Sequence, residues 1–148
     1  MRVRPGKPED IPSMIALERE SPSAAHWSVD SYRQAFEQGI AVRIVLVADD
    51  EGSIRGFLIA RTAGEECELE NIVVASSGQR CGIGSKLMQE LIVLAGVQGA
   101  SRILLEVRES NVAARSLYEN NGFTSSGRRK SYFTDPAEDA VLYTQTLG

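Results

Sequence analysis

The sequence predicts an α/β chain of mixed α+β type: a mixed, predominantly antiparallel sheet of about seven strands, about four helices and one central βαβ unit. Three observations carry this. Leu69-Glu70-Asn71-Ile72-Val73-Val74 and Arg102-Ile103-Leu104-Leu105-Glu106-Val107-Arg108 are both strand-like apolar runs. Between them Ile83, Leu87, Leu91 and Leu94, with Met88, Ile92 and Ala95 beside them, recur at the spacing of one helical face. Ahead of this unit, Val42 to Ala48 and Ser53 to Arg61 flank Asp49-Asp50-Glu51-Gly52 as strand, turn and strand. A hairpin feeding a single βαβ unit gives a mixed sheet rather than a doubly wound one.

Taken in order, Met1 to Arg4 reads as a first strand stopped by Pro5-Gly6. Lys7-Pro8-Glu9-Asp10 opens a helix, with proline near the first turn and two acids at the positive end of its dipole. Ile11, Met14, Ile15 and Leu17 form its inner face, and the polar stretch from Glu18 to Ala25, with Pro22, is expected to break it. Ser28 caps a second helix carrying Val29, Tyr32, Arg33 and Phe36, with Gly39 past its end. Trp27, between the two helices, reads equally as packing under the second or as a pocket wall. Ala63-Gly64-Glu65 turns the chain into the strand Cys67 to Val74. After Arg108, Ser110 or Asn111 caps a short helix, and Gly122 stands where a left-handed C-cap residue is wanted. Gly127 to Phe133 and Val141 to Thr146 close the sheet around Asp135-Pro136.

A chain of 148 residues is long enough for one well-buried core and short for two, so a single domain spanning 1–148 is expected. Hydrophobic content of 43% and charged content of 24% are those of a globular protein, and no apolar run approaches the roughly twenty residues that span a bilayer. Met1-Arg2-Val3-Arg4-Pro5 has no apolar signal-peptide core behind it, which together with the unpaired cysteine pattern predicts the cytoplasm. Cys67, Cys81 and the single His26 make neither a disulfide framework nor a zinc site. A net charge of −4 with both signs mixed throughout leaves no broad footprint for nucleic acid.

The chemistry is concentrated where the predicted helix begins. A helix starting near Gly82 leaves its first N–H groups without intrahelical partners, and Gly78, Gly82 and Gly84 remove the side chains that would keep an anion away. Three phosphate-binding patterns compete. The P-loop fails, because Gly78 is followed five positions later by Ile83 and Gly84-Ser85-Lys86 has the wrong order. A dinucleotide fingerprint lacks its third glycine, since position 87 is Leu, although Glu106 lies about twenty residues downstream as that motif requires. The third pattern, Gln/Arg-x-x-Gly-x-Gly/Ala, is met by Gln79, Gly82 and Gly84. It resembles the coenzyme-A pyrophosphate loop of the GNAT superfamily of N-acetyltransferases.

A second block in register strengthens the likeness. Asn111-x-x-Ala114-x-x-Leu117-Tyr118-Glu119-x-x-Gly122-Phe123 is similar to the second conserved block of that superfamily. Asn71-Ile72-Val73-Val74, Gln79 to Gly84, Leu105 to Arg108, Arg129 to Phe133 and Glu138-Asp139-Ala140 narrow it to the RimI-like branch, which acetylates the N-terminal alanine of a ribosomal protein. The match runs from Asn71 to Ala140, while the first forty residues contribute only Trp27-Ser28.

The resemblance implies a GNAT-like fold, acetyl-CoA as co-substrate without a metal, and an N-terminal protein segment as acceptor. It makes Glu106 the general base for the attacking α-amine and Tyr118 the acid that protonates the departing thiolate. Both roles are chemically apt, because a protonated amine has no lone pair and a phenol can deliver a proton to sulfur. It further implies that Ile72, Val73 and Val74 meet the acetyl-pantetheine arm through backbone groups where parallel strands splay. Arg80, Cys81, Gly82, Ile83, Gly84 and Ser85 would cradle the pyrophosphate, and Asn111 would hydrogen-bond the pantetheine.

On periodicity alone other readings stay open. Glu106, on the less apolar face of its strand, reads as a surface carboxylate paired with Arg108, Tyr118 as a core aromatic and Asn111 as a helix cap. Arg128-Arg129-Lys130 reads as a solvated strand end or as a substrate or coenzyme contact, and Glu138-Asp139 as solvated acids or an attractor for a basic acceptor. Branch members have a basic or bulky residue at Cys81 and a proline at Ala75-Ser76; Cys81 beside a helix start is expected to be oxidant-sensitive. A GNAT acting on a small amine or a lysine side chain, a non-catalytic coenzyme-A-binding module and, remotely, a nicotinamide-binding domain are the rival functions.

Overall fold

The computed structural model describes residues 1–21, 27–37, 42–76 and 82–148. Its frame is one seven-stranded sheet in the order β1-β2-β3-β4-β5-β7-β6. The strands are β1 Arg2–Pro5, β2 Val42–Asp50, β3 Ser53–Ala63, β4 Glu66–Val74, β5 Arg102–Arg108, β6 Thr124–Phe133 and β7 Glu138–Thr146. Four α-helices accompany them: α1 Ile11–Glu20, α2 Val29–Gln34, α3 Ile83–Val97 and α4 Val112–Asn120. Every neighbouring pair is antiparallel except β4 and β5, which flank α3 and complete the expected βαβ unit.

Each face of the sheet buries its own helices. On one, Ile83, Leu87, Met88, Leu91 and Ala95 of α3 pack with Leu46, Leu58, Leu69, Ile103 and Leu105, and α4 adds Tyr118. On the other, Ile11, Met14 and Leu17 of α1 and Tyr32 of α2 pack with Val47, Phe57, Ile59 and Val73. The alternation along β5 follows from this: Ile103, Leu105 and Val107 are buried on the α3 side, while Leu104, Glu106 and Arg108 face the α1 side.

The first helix runs on to Glu20, beyond the break expected at Glu18. Glu18 is buried because Oε1 accepts from the Tyr32 hydroxyl (2.7 Å) and the Trp27 backbone N–H (2.6 Å), which compensates the desolvated carboxylate. Ser28 caps α2 as expected, accepting from the Ser31 N–H at 3.1 Å. Gly39, its expected stop, lies outside the described residues, as does His26. The last two strands start earlier than their sequence patterns suggest, at Thr124 and Glu138, because main-chain pairing extends beyond the apolar runs.

Two irregularities shape the centre of the sheet. The β4–β5 ladder holds only from Glu66 opposite Arg102 to Glu68 opposite Leu104. Immediately beyond, β4 carries a bulge: Ile59 of β3 faces Asn71 and Ala60 faces Leu69, so Glu70 is an extra residue. A bulge bends its own strand, and here it takes Asn71 to Val74 along β3 and away from β5. Arg43 anchors Glu70 through Nε at 3.0 Å and Nη2 at 3.4 Å. The parallel pair is therefore open like a V toward the start of α3.

Candidate active site

A cleft of about 810 Å³ occupies that opening. Ile72, Val73 and Val74 form one wall, Leu105 to Arg108 the other, Gly82 to Ser85 one end, and Asn111, Leu117 and Tyr118 of α4 the cover. Of the sequence-predicted site residues, Glu106, Tyr118, Ile72, Val73, Val74, Gly82, Ile83, Gly84, Ser85 and Asn111 thus line one cavity. Arg80 and Cys81, with the expected oxidant sensitivity of the latter, lie outside the described residues.

The α3 end of the cleft is formed by glycines and by a helix start. Gly82 takes the left-handed conformation (φ +77°), and among the described residues no side chain caps the helix. Gly84 has a different reason to be glycine: a Cβ there would stand 3.1 and 3.2 Å from the methyls of Leu117 on α4. Asn121, at the end of α4, donates through Nδ2 to Ser85 Oγ (3.1 Å) and to the Leu117 carbonyl (2.8 Å). The first turn of α3 and the last of α4 are thus joined across one rim of the cleft.

Tyr118 is 5% exposed, with Phe123 and Tyr143 at 6.1 and 6.0 Å between ring centres. Burial alone pushes its phenol well above the usual tyrosine range, so the proton is held firmly. No hydrogen bond to its hydroxyl is found among the described residues, and the ring borders the cleft. Tyr143 keeps α4 in place, accepting from Arg115 Nε at 3.0 Å and donating to Glu119 Oε2 at 2.6 Å.

Glu106 borders the cleft from the opposite face of the sheet, with 28% of its side chain exposed. Its partner is Arg129, whose Nε lies 3.3 Å from Oε1, and not Arg108 as the strand sequence suggests. Arg108 is taken by Glu138 (3.2 Å) and lies over the Phe133 ring at 4.6 Å. Between Arg129 and Phe133 the β6 register slips, and Lys130-Ser131-Tyr132 bulges out with Ser131 at φ +49°. The bulge turns Tyr132 toward Glu106, whose charge raises the Tyr132 phenol above its ordinary value, and the Arg129 guanidinium lies 5.3 Å from the Tyr132 ring centre.

The acidic pair beyond this has structural work. Glu138 accepts from the Ser110 N–H at 2.7 Å and Asp139 from the Ser131 N–H at 2.9 Å, while Arg128 bridges Glu109 (2.6 Å) and Asp139 (3.3 Å). Asn111 is a helix cap, its Oδ1 accepting from the Ala114 N–H at 3.2 Å, and it also borders the cleft. Trp27 packs with its ring 5.5 Å from Tyr32 at the edge of the α1–α2 core, and it is not among the residues lining this cleft. Arg129 was singled out in the sequence as a possible substrate or coenzyme contact, but its pairing with Glu106 was not legible, because it reaches the carboxylate from another strand; Asn121 was not legible at all, because it reads as part of a helix stop, Asn120-Asn121-Gly122.

A half-open parallel pair, a helix start with no side-chain cap among the described residues, and a carboxylate and a phenol from opposite faces of the sheet thus meet at one cleft. The Acetyltransferase (GNAT) family model matches residues 11–123, and the chain belongs to that family. It is an N-acetyltransferase enzyme, of a family that generally uses acetyl-CoA. Among its relatives is the [ribosomal protein bS18]-alanine N-acetyltransferase of Escherichia coli K12, 33% identical over 135 residues, covering 90% of this chain and 88% of the relative. The crystal structure of the ribosomal-protein-S18-alanine N-acetyltransferase from Escherichia coli superposes with a TM-score of 0.83 at 28% identity, covering 99% and 94% of the two chains. Chaetomium thermophilum Naa20, solved with a bisubstrate analogue, shares the fold at a TM-score of 0.87 and 23% identity, over 99% of this chain and 87% of that one.

Proposed function

We propose that this chain acetylates the N-terminal α-amine, alanine in first place, of a ribosomal protein in the cytoplasm, by direct attack in a ternary complex. The observation that carries the chemistry is the placement of Glu106 and Tyr118 on opposite faces of the sheet, both bordering the cleft where β4 and β5 part. The substrate class is supported by relatives named for that reaction at about one-third identity.

The residues present fit the donor. Among the described residues the edge of β4 from Leu69 to Val74 has no ladder partner on its β5 side, which leaves main-chain groups for the amides of a pantetheine arm. The α3 start, with no side-chain cap among the described residues and glycines at 82 and 84, suits the diphosphate, and Asn111 Nδ2 remains available once Oδ1 has capped α4. When bound, acetyl-CoA supplies the activated acyl carbon that the amine attacks. Glu106 takes a proton from the acceptor nitrogen, so that the lone pair is free. Tyr118 Oη, whose proton burial retains, gives it to the sulfur as the C–S bond breaks.

The test is a thiol-release assay with peptides beginning with alanine beside spermidine, aminoglycosides and lysine peptides with blocked N-termini. Turnover is expected with the free alanine terminus, and Glu106→Gln is expected to lower kcat about a hundredfold while coenzyme A binds as before. Preference for a small amine or a lysine, or unchanged kcat in Glu106→Gln, overturns the reading.

A further inference from the structure

Ser85 borders the cleft in the first turn of α3, and its hydroxyl can act as donor or acceptor. Asn121 decides which. Leu117 O is a carbonyl and can only accept, so the nitrogen of the Asn121 amide must face it, at 2.8 Å. The same Nδ2 then points its second hydrogen at Ser85 Oγ, at 3.1 Å, and the serine oxygen is the acceptor of that bond. Among the described residues no acceptor is found for the hydrogen of the Ser85 hydroxyl.

The backbone holds Asn121 in this position. Gly122 at φ +92° lets the Phe123 N–H return to the Tyr118 carbonyl (3.0 Å), ending α4 with Asn121 at its C-cap. The Leu117 carbonyl, which the helix leaves open, is closed by the asparagine side chain.

We infer that Asn121 is a positioning residue for the donor site: by occupying the Ser85 oxygen, it sets the Ser85 hydroxyl to donate into the cleft, toward a diphosphate oxygen beside the N–H groups of α3. A donor that is itself accepting a hydrogen bond is polarised and gives a stronger bond to an anion. The inference rests on the acetyl-CoA reading of this cleft and adds to it a selective contact for the diphosphate.

The test is calorimetric titration of the whole protein with coenzyme A, for wild type, Asn121→Leu, Asn121→Asp, Ser85→Ala and the Ser85→Ala/Asn121→Leu double variant, with thermal melts to confirm folding. Asn121→Leu and Ser85→Ala each raise Kd, Ser85→Ala by about tenfold or more, the order expected for one hydrogen bond to a charged group, and Asn121→Leu by about fivefold. Asn121→Asp, the same shape with acceptors only, raises it further, because the serine hydroxyl then turns toward the carboxylate. In the Ser85→Ala background, Asn121→Leu adds nothing. Asn121 acting only as a strut for α4 would cost the same in both backgrounds, and that equality, or unchanged Kd in Asn121→Leu, overturns the inference while leaving the donor site intact. A wild-type protein that does not bind coenzyme A overturns the donor-site reading itself.

Discussion

The roles proposed for Glu106 and Tyr118 require unlike surroundings, and the strand and the helix supply them. The carboxylate is partly exposed beside Arg129, on the face from which an acceptor can arrive. The phenol is enclosed by two aromatic rings, and burial keeps its proton beyond the alkaline range in which an ordinary tyrosine, near pH 10, would lose it. A raised pKa means that the acid form persists to higher pH, so the alkaline side of the wild-type kcat profile is expected to stay flat up to about pH 10 on account of Tyr118. Tyr118→Phe removes the proposed proton donor and little volume, and kcat is expected to fall about tenfold to a hundredfold at pH 8, as followed by thiol release. A fall in wild-type kcat near pH 9 that disappears in Tyr118→Phe would show an unprotected phenol. The face of Glu106 was readable from strand alternation, but its partner was not: Arg108 is two residues away on the same face, while Arg129 is delivered by a register slip that has no period-two signature.

Among the elements, α3 and α4 define the cavity by how closely they approach. Gly84 permits this, since Leu117 fills the space its side chain would take. Glycine in a helix costs about 1 kcal/mol relative to alanine. Gly84→Ala therefore recovers that helix propensity and spends it displacing Leu117 by a few tenths of an ångström. The expected outcome is a melting temperature within about 3 °C of wild type and a kcat lowered about tenfold, because Tyr118 is the next residue along α4 and moves with Leu117. Differential scanning calorimetry and steady-state turnover on the same preparation check it; full activity would mean that the helices adjust without moving the phenol. The glycine run announced a close approach to a phosphate in the sequence. Gly84's second purpose, a contact between two helices, became visible only once α4 was docked.

For the whole molecule, the ends of the sheet matter as much as its centre. Arg4 on edge strand β1 donates through Nε to Asp49 (2.9 Å) and through Nη1 and Nη2 to Asp10 (2.9 and 3.0 Å), joining β1, β2 and the 3-10 turn that leads into α1. The hydrogen bonds from Arg4 hold both carboxyls below their usual range, helped at Asp10 by the Lys7 N–H and at Asp49 by the Gly52 N–H. Groups depressed on folding contribute stability that is complete above the unfolded carboxylate range, near pH 4, and lost as pH falls through their lower folded values. Arg4→Met is expected to lower Tm by about 3 °C or more at pH 7 and by much less at pH 3. Equal losses at both pH values, read by circular dichroism melts, would show that the arginine acts through packing alone.

At this scale the sequence was most informative: strands, helices, their order and the mixed sheet follow from periodicity and turn residues. The opening between β4 and β5 does not, since it depends on which distant strands pair and where they stop pairing. Its origin is a single residue. Were Glu70 absent, Leu69 and Asn71 would follow one another opposite Ala60 and Ile59, so β4 would pair with β3 without interruption and lose the bend that carries Asn71 to Val74 away from β5. The two parted strands would then be free to zip together along their remaining length. Such a chain would keep its core composition and lose its catalytic chamber, so the counting of residues along one strand, more than the identity of any of them, keeps this enzyme open.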